Sequence, residues 1–183
     1  PMSCDDLRVE PLKSSSVLDT PPHPSFDAVT HAAQIAFDVP IALISLLDET
    51  RQWFKSCIGL DVRETPRDIS FCTHAIGQRE VYVVADATKD ALFAENPLVT
   101  GAPHIRFYAG APLVDADGYA LGTLCVIDTA PRAFPAKDRE LLTALGQCAL
   151  NAISLHSKSV LLDRADALLQ RYMARTGAEK RSA

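Results

Sequence analysis

Several things are scarce in this sequence, and each absence narrows what the chain can do. Its five cysteines, Cys4, Cys57, Cys72, Cys125 and Cys148, are odd in number and include no C-x-x-C pair, which argues against a disulfide framework and for a reduced compartment. Positive charge is not in excess. With 18 Lys and Arg against 23 Asp and Glu the formal net charge is −5, and no basic run offers the field that nucleic acid or anionic lipid would need. The longest apolar run, residues 39–47, is broken by Ser45 and bracketed by Asp38 and Asp48, so it is too short to cross a bilayer and reads as a buried strand. No charged-then-apolar leader opens the sequence, and Pro1 ahead of Met2 reads as an added residue. The expectation is a cytoplasmic protein with no nucleic-acid and no membrane partner. A Gly-rich phosphate loop, a nucleophile-base-acid set and a distinguished pair of carboxylates are also missing, so nothing supports catalysis and a non-enzyme is expected.

What is present centres on residues 108–128. Two apolar runs, 107–114 and 119–127, are joined by Asp115-Ala116-Asp117-Gly118, which is turn chemistry for an antiparallel hairpin. Residues 121–127 do not alternate apolar with polar, so both faces of that strand are expected to be covered, and helices must flank the sheet. The 183 residues suffice for one domain plus extensions. Leu7, Val9, Leu12, Val17 and Leu18 suggest a short helix limited by Pro11, in a weakly specified lead-in over residues 1–16. Prolines hold residues 20–25 extended. Phe26, Val29, Ala33, Ala36 and Phe37 mark one face of a helix, capped by Ser25 or Asp27 and ended at Asp38-Val39-Pro40.

Strands are expected over 41–47 and 52–58, paired as a hairpin through residues 48–51. An exposed, mobile loop follows over 59–69, then a short helix over 70–77 and a strand over 81–85. A helical turn over 88–95 is stopped by Asn96-Pro97. From Ala136 to about Arg175 the chain reads as one long helix, with a frayed tail over 177–183. Leu141, Leu142, Leu145, Ala149, Ala152 and Ile153 form a broad face for the sheet; Leu155, Leu162 and Leu169 recur every seven residues with Ala165 and Tyr172 between them, a narrower seam interrupted by Asn151 and Lys158.

The segments Leu18-Asp-Thr-Pro-Pro, Val39-Pro-Ile-Ala-Leu-Ile-Ser-Leu-Leu-Asp48, Gln52-Trp-Phe-Lys55, Ser70-Phe-Cys-Thr-His-Ala-Ile76, Val84-Ala-Asp86, Tyr108-Ala-Gly-Ala-Pro-Leu113 and Leu121-Gly-Thr-Leu-Cys-Val-Ile-Asp128, in this order, closely resemble the GAF domains of bacterial sensor histidine kinases and diguanylate cyclases. The resemblance covers about residues 17–155, leaving residues 156–183 as a signalling or dimerisation helix and tail. It implies an α+β, PAS-related fold, with a central antiparallel sheet of about six strands, helices on both faces and a long C-terminal helix. It further implies a ligand pocket between one sheet face and the loop-rich helices, dimerisation through terminal helices, and an unidentified small molecule as partner. No particular cofactor is implied.

Cys72 carries the most chemistry. It opens a short helix two residues after Ser70, where free backbone N–H groups favour a thiolate, and His74 is near in sequence. A redox, nitrosylation or covalent-attachment site stands against a small buried residue packed under the pocket. The surrounding motif does not match bilin attachment, and the cysteines do not match free methionine sulfoxide reductase. Cys72, His74 and His104 lack paired metal spacing. Asp86-x-Thr88-x-Asp90 opens like a calcium loop but has Ala91 and Pro97 where the glycine and bidentate Glu belong, so Asp86 reads first as a turn or cap residue.

Strand alternation places Phe54 and Ser56 on one face, Trp53 and Lys55 on the other, and Thr123 with Cys125 on a shared face. Alternation alone does not say which face is the pocket. Family similarity puts Phe71, Cys72, His74, Asp86 and Tyr108 near it. The expected ligand-binding set is Phe54, Ser70, Phe71, Cys72, His74, Asp86, Tyr108, Thr123 and Cys125. The expected function is a sensory module that binds a small molecule and relays the change along its last helix to a kinase or cyclase output domain. The alternatives are a ligand-free dimerisation module and a thiol-based redox sensor or enzyme using Cys72.

Overall fold

The computed structural model describes residues 4–179. Ile-Ala-Leu-Ile-Ser-Leu-Leu forms β1 (Ile41–Leu47), with every residue buried. A strand without an exposed position needs cover on both faces, and the rest of the chain supplies it. β2 (Arg51–Ile58), β3 (Glu64–Pro66), β4 (Tyr82–Val84), β5 (Phe107–Val114) and β6 (Ala120–Asp128) complete a six-stranded antiparallel sheet in the order β3-β2-β1-β6-β5-β4. The β5–β6 turn closes as its residues require. Asp115 Oδ1 accepts from the amides of Asp117 and Tyr119 at 3.0 and 2.8 Å, and Gly118 takes φ +89°.

One face of the sheet carries α1 (Cys4–Ser14), α2 (Pro24–Phe37) and the first half of α5 (Ala136–Glu179). Their apolar stripes, with Leu12, Phe26, Ala33, Leu142, Ala149 and Ile153, meet Ile44, Leu46, Phe107, Ala109, Leu124 and Val126 of the strands in one core. The opposite face meets α3 (Cys72–Ala75), α4 (Pro97–Thr100) and the segments around them in a second core built on Leu43, Phe54, Phe71, Phe93, Tyr108 and Ile127. The sheet therefore separates two cores, and alternate residues of β5 and β6 face one or the other.

Several local expectations are corrected. The α2 cap is His23, whose Nδ1 accepts from the Ser25 amide at 3.2 Å, with Pro24 in the first turn. The lead-in forms the expected short helix, α1, but Pro11 lies inside it and does not limit it, and Val9 and Leu12 are buried. Asn96-Pro97 ends the turns over 87–95 and also starts a helix, because the Asn96 side chain accepts from the Leu98 amide and Pro97 occupies the first turn. The segment 59–69 contributes β3 to the sheet edge. Ser56 does not share the face of Phe54. The β1–β2 register shifts between Ile44 and Ser45, so Lys55 is a bulge residue and Ser56 turns to α2, where it bonds Thr30 Oγ1 and Asp27 Oδ1, each at 2.7 Å. Lys55 is buried on that same side, donating to Thr20 Oγ1 and the Pro21 carbonyl at 2.7 and 2.6 Å.

α5 runs to Glu179, so the expected tail begins inside the helix, and residues 180–183 lie outside the described residues, as do Pro1 and Met2. Among the described residues no helix is long and apolar enough to cross a membrane.

Candidate functional site

On the second sheet face the strands do not close completely against α3, α4 and the loops at 60–65 and 102–105. A cavity of about 300 Å³ remains, at the small end of ligand pockets. Ile41 and Leu43 from β1, Phe54 from β2, Tyr108 from β5 and Ile127 from β6 form its floor; Leu60, Val62, Phe71, Leu98, Pro103 and Ile105 form walls and rim. Val62 and Ala102 are exposed at the mouth. Phe71 stacks on Phe93 with centroids 4.0 Å apart and leans on Tyr108 at 5.3 Å, which holds the inner wall rigid.

Polar groups in the lining are few: Gln52, Asp61, Thr65, Cys72 and Tyr108. No Lys, Arg or His lines the cavity. Gln52 is largely engaged by the protein. Its Oε1 accepts from Ser45 Oγ at 2.9 Å and Ser70 Oγ at 2.6 Å, and its Nε2 donates to Thr65 Oγ1 at 2.9 Å.

Cys72 sits at the inner end. Its Sγ accepts from Thr123 Oγ1 at 3.1 Å and Tyr108 Oη at 3.2 Å, and lies 3.9 Å from Cys125 Sγ. Burial pushes the Cys72 thiol up, but hydrogen bonds from Cys125, Thr123 and Tyr108 outweigh it and bring the pKa down to about 6. Cys125 moves well above the usual thiol range, through its hydrogen bond to Cys72 and its own burial; Tyr108 rises through burial and the facing Cys72 charge. The donors are side chains of β5 and β6. α3 is a single turn of four residues, so helix N–H groups are not what favours the thiolate. Gly110 makes this geometry accessible: a Cβ there would fall 2.2 Å from Tyr108 Oη, so only glycine lets the ring lie along the strand toward Cys72.

The structure thus brings Phe54, Phe71, Cys72, Tyr108, Thr123 and Cys125 together, with Ser70 one hydrogen bond away through Gln52. His74 is exposed and meets Phe93 edge-on at 5.1 Å. Asp86 caps a short turn by accepting from the Thr88 amide at 3.1 Å, with Lys89 beside it at 3.4 Å. Neither belongs to the cavity lining. His104 is exposed in a left-handed turn conformation at φ +60°, and among the described residues no group of three His, Cys, Asp or Glu side chains could hold a metal ion. Reading the sequence missed Gln52, Thr65, Leu98 and Ile105. The only signal for Gln52 was a lone amide at the start of an aromatic strand.

The profile of the GAF domain family matches residues 21–153. Over 116 residues the chain is 55% identical to a cyclic di-GMP phosphodiesterase of Pseudomonas aeruginosa; this stretch is 63% of the chain but 20% of that protein, so the chain spans about a fifth of this relative's length. Among solved structures, the GAF domain of an Acinetobacter phosphoenolpyruvate-protein phosphotransferase superposes with a TM-score of 0.63 at 21% identity, covering 87% of this chain and 98% of that one. The free methionine-R-sulfoxide reductase of Neisseria meningitidis does so with a TM-score of 0.60 at 18% identity, covering 83% and 89%. At such identities both likenesses concern the fold alone. By the profile match over most of its length and by the six-stranded sheet with helices on both faces, the chain belongs to the GAF domain family, a family of sensory domains in signalling proteins.

Proposed function

We propose that this GAF domain senses a small, uncharged, largely apolar molecule held in the cavity between the sheet and α3–α4, and passes occupancy through the sheet to α5. The observation that carries this reading is an apolar cavity without a basic side chain, set across the sheet from the long helix. A cyclic dinucleotide would bring two phosphates into a lining whose only carboxylate is Asp61, and about 300 Å³ is small for it. Ligand contact at Tyr108 and Ile127 bears on β5 and β6, whose neighbouring residues Phe107 and Val126 face the core shared with α5. Occupancy can shift α5 only if the ligand binds one arrangement more tightly than the other. The 55% identity to part of a cyclic di-GMP phosphodiesterase supports an output that handles this second messenger, acting outside the cavity.

Comparison of native and denatured masses of the purified protein tests for a resident ligand. A displacement titration follows with N-phenyl-1-naphthylamine, a neutral apolar fluorophore, beside its sulfonated analogue. Saturable one-to-one binding is expected for the neutral probe, with the anion at least about tenfold weaker because it would enter a site without a counter-charge. Leu98→Trp, at the rim, should abolish binding while leaving the circular dichroism unchanged. If the neutral probe does not saturate, or Leu98→Trp binds it equally well, the sensing role is wrong.

The second reading, self-association, is favoured by the outer half of α5. Leu155, Leu161, Leu162, Leu168, Leu169, Tyr172 and Met173 are each 58–67% exposed, an apolar surface larger than a solitary helix normally shows to water. Pairing two such helices would bury it. Sedimentation is expected to give a dimer for the full chain and a monomer for the Leu162→Glu, Leu169→Glu double variant; equal mass for both would reject the seam.

A further inference from the structure

Cys72 and Cys125 come from segments 53 residues apart and meet at the inner end of the cavity, with their sulfurs 3.9 Å apart. Both are buried, but only Cys72 lines the cavity, so a molecule that enters meets Cys72 first. Two hydroxyl donors, Thr123 Oγ1 and Tyr108 Oη, point at that same sulfur. They favour a thiolate there and stand ready beside any oxygen leaving from it. The remaining described cysteines differ. Cys148 is exposed on α5, and Cys57 is half-buried, 3.4 Å from the Leu60 carbonyl, with burial pushing its thiol up.

We propose that Cys72 and Cys125 form a peroxide-reactive dithiol: a small hydroperoxide entering the cavity oxidises Cys72, and Cys125 then closes onto it as an intramolecular disulfide. In the first step the Cys72 thiolate attacks one peroxide oxygen. An S–O bond forms, the O–O bond breaks, and the departing oxygen leaves as hydroxide or alkoxide and takes from solvent the proton that Cys72 released on ionising, becoming water or an alcohol. In the second step Cys125 sulfur attacks the sulfenic sulfur; the S–S bond forms, the S–O bond breaks, and hydroxide leaves with the Cys125 proton as water. Two thiols lose two electrons and one peroxide gains them. The sulfurs must close from 3.9 Å to the roughly 2 Å of a disulfide, which draws α3 toward β6 and reshapes the inner wall. The dithiol goes beyond ligand sensing and needs no resident ligand.

The test uses the full, reduced chain treated with one equivalent of hydrogen peroxide at neutral pH. Remaining thiols are alkylated, and a non-reducing digest is mapped by mass spectrometry. A Cys72–Cys125 linked peptide is expected, with Cys72 consumed about tenfold faster than exposed Cys148, because the Thr123 and Tyr108 hydroxyls donate to the Cys72 sulfur and stabilise its thiolate. In Cys125→Ser, Cys72 should stop at the sulfenic acid and be trapped by dimedone. The wild-type map decides alone if that variant does not fold. Oxidation of Cys148 ahead of Cys72, or Cys72 oxidised without linkage to Cys125, would overturn the proposal. Saturable naphthylamine binding without the linked peptide would overturn the dithiol and leave the sensing role standing.

Discussion

Gly122→Ala is expected to lower the unfolding free energy by about 3 kcal/mol, the upper end of what overpacking costs. Gly122 lies in β6, opposite Leu46 of β1 on one side and Leu113 of β5 on the other. A Cβ there would fall 1.9 Å from the Ser45 carbonyl oxygen and 2.8 Å from Leu46 Cα. Both neighbours are backbone, so no side chain can swing aside, and relief requires moving β1 away from β6 at the centre of the sheet. Each strand presents residues to both cores, so the damage extends to both. Gly118→Ala is the comparison. Its φ of +89° disfavours a side chain, but nothing stands within 4 Å of the added atom, and a cost of about 1 kcal/mol is expected from conformation alone. Urea unfolding of the two variants against the parent measures the difference. Equal midpoint shifts would mean that the close approach of β1 and β6 is not what selects glycine at position 122.

The same two strands show what could be read from the residues and what could not. β1 was legible to the residue, because an unbroken apolar run between two Asp residues has few other solutions. The β5–β6 hairpin was legible from Asp115 and Gly118, whose side chain and φ make the turn. The bulge at Lys55 was not. Nothing local marks it; it arises where the β1–β2 register shifts beside Ser45, and it moved Ser56 to the face opposite the expected one. α1 was underestimated because its stability comes from burying Val9 and Leu12 against the sheet, not from propensity. At the site, Cys72, Tyr108, Thr123 and Cys125 were each chosen, Tyr108 and Cys72 through the family resemblance. Their meeting around one sulfur could not be derived, because it depends on a 53-residue separation closing in three dimensions. His74 and Asp86 sit outside the lining for simple geometric reasons. In the single turn of α3, His74 falls two residues after Cys72 and so points away from it, and Asp86 is occupied capping the turn that follows β4.

Gln52→Leu is expected to cost about 2–4 kcal/mol, more than a single hydrogen bond contributes, because it strands buried partners. Gln52 is 5% exposed and joins three segments: Ser45 of β1 and Ser70 before α3 share its carbonyl oxygen, and Thr65 of β3 takes its amide. Leucine fills nearly the same space, so packing loss is small and the penalty falls on the Ser45 and Ser70 hydroxyls. That origin can be separated from packing. Adding Ser45→Ala and Ser70→Ala removes the orphaned groups, and the triple variant should recover about half or more of the lost stability, although it has fewer hydrogen bonds than the single variant. Hydrogen exchange reads the local consequence. Amides of residues 64–70, which Gln52 ties to the sheet beside the cavity, should exchange faster in Gln52→Leu than in the parent, while those of β5 and β6 change only through global stability. A triple variant no more stable than the single one, or protection at 64–70 equal to the parent's, would mean that the aromatic wall alone holds this side of the cavity. Recovery in the triple variant with faster exchange at 64–70 would place the cavity's shape under the control of one buried amide, and a ligand that competes for its remaining proton would loosen or tighten α3 and β3 together.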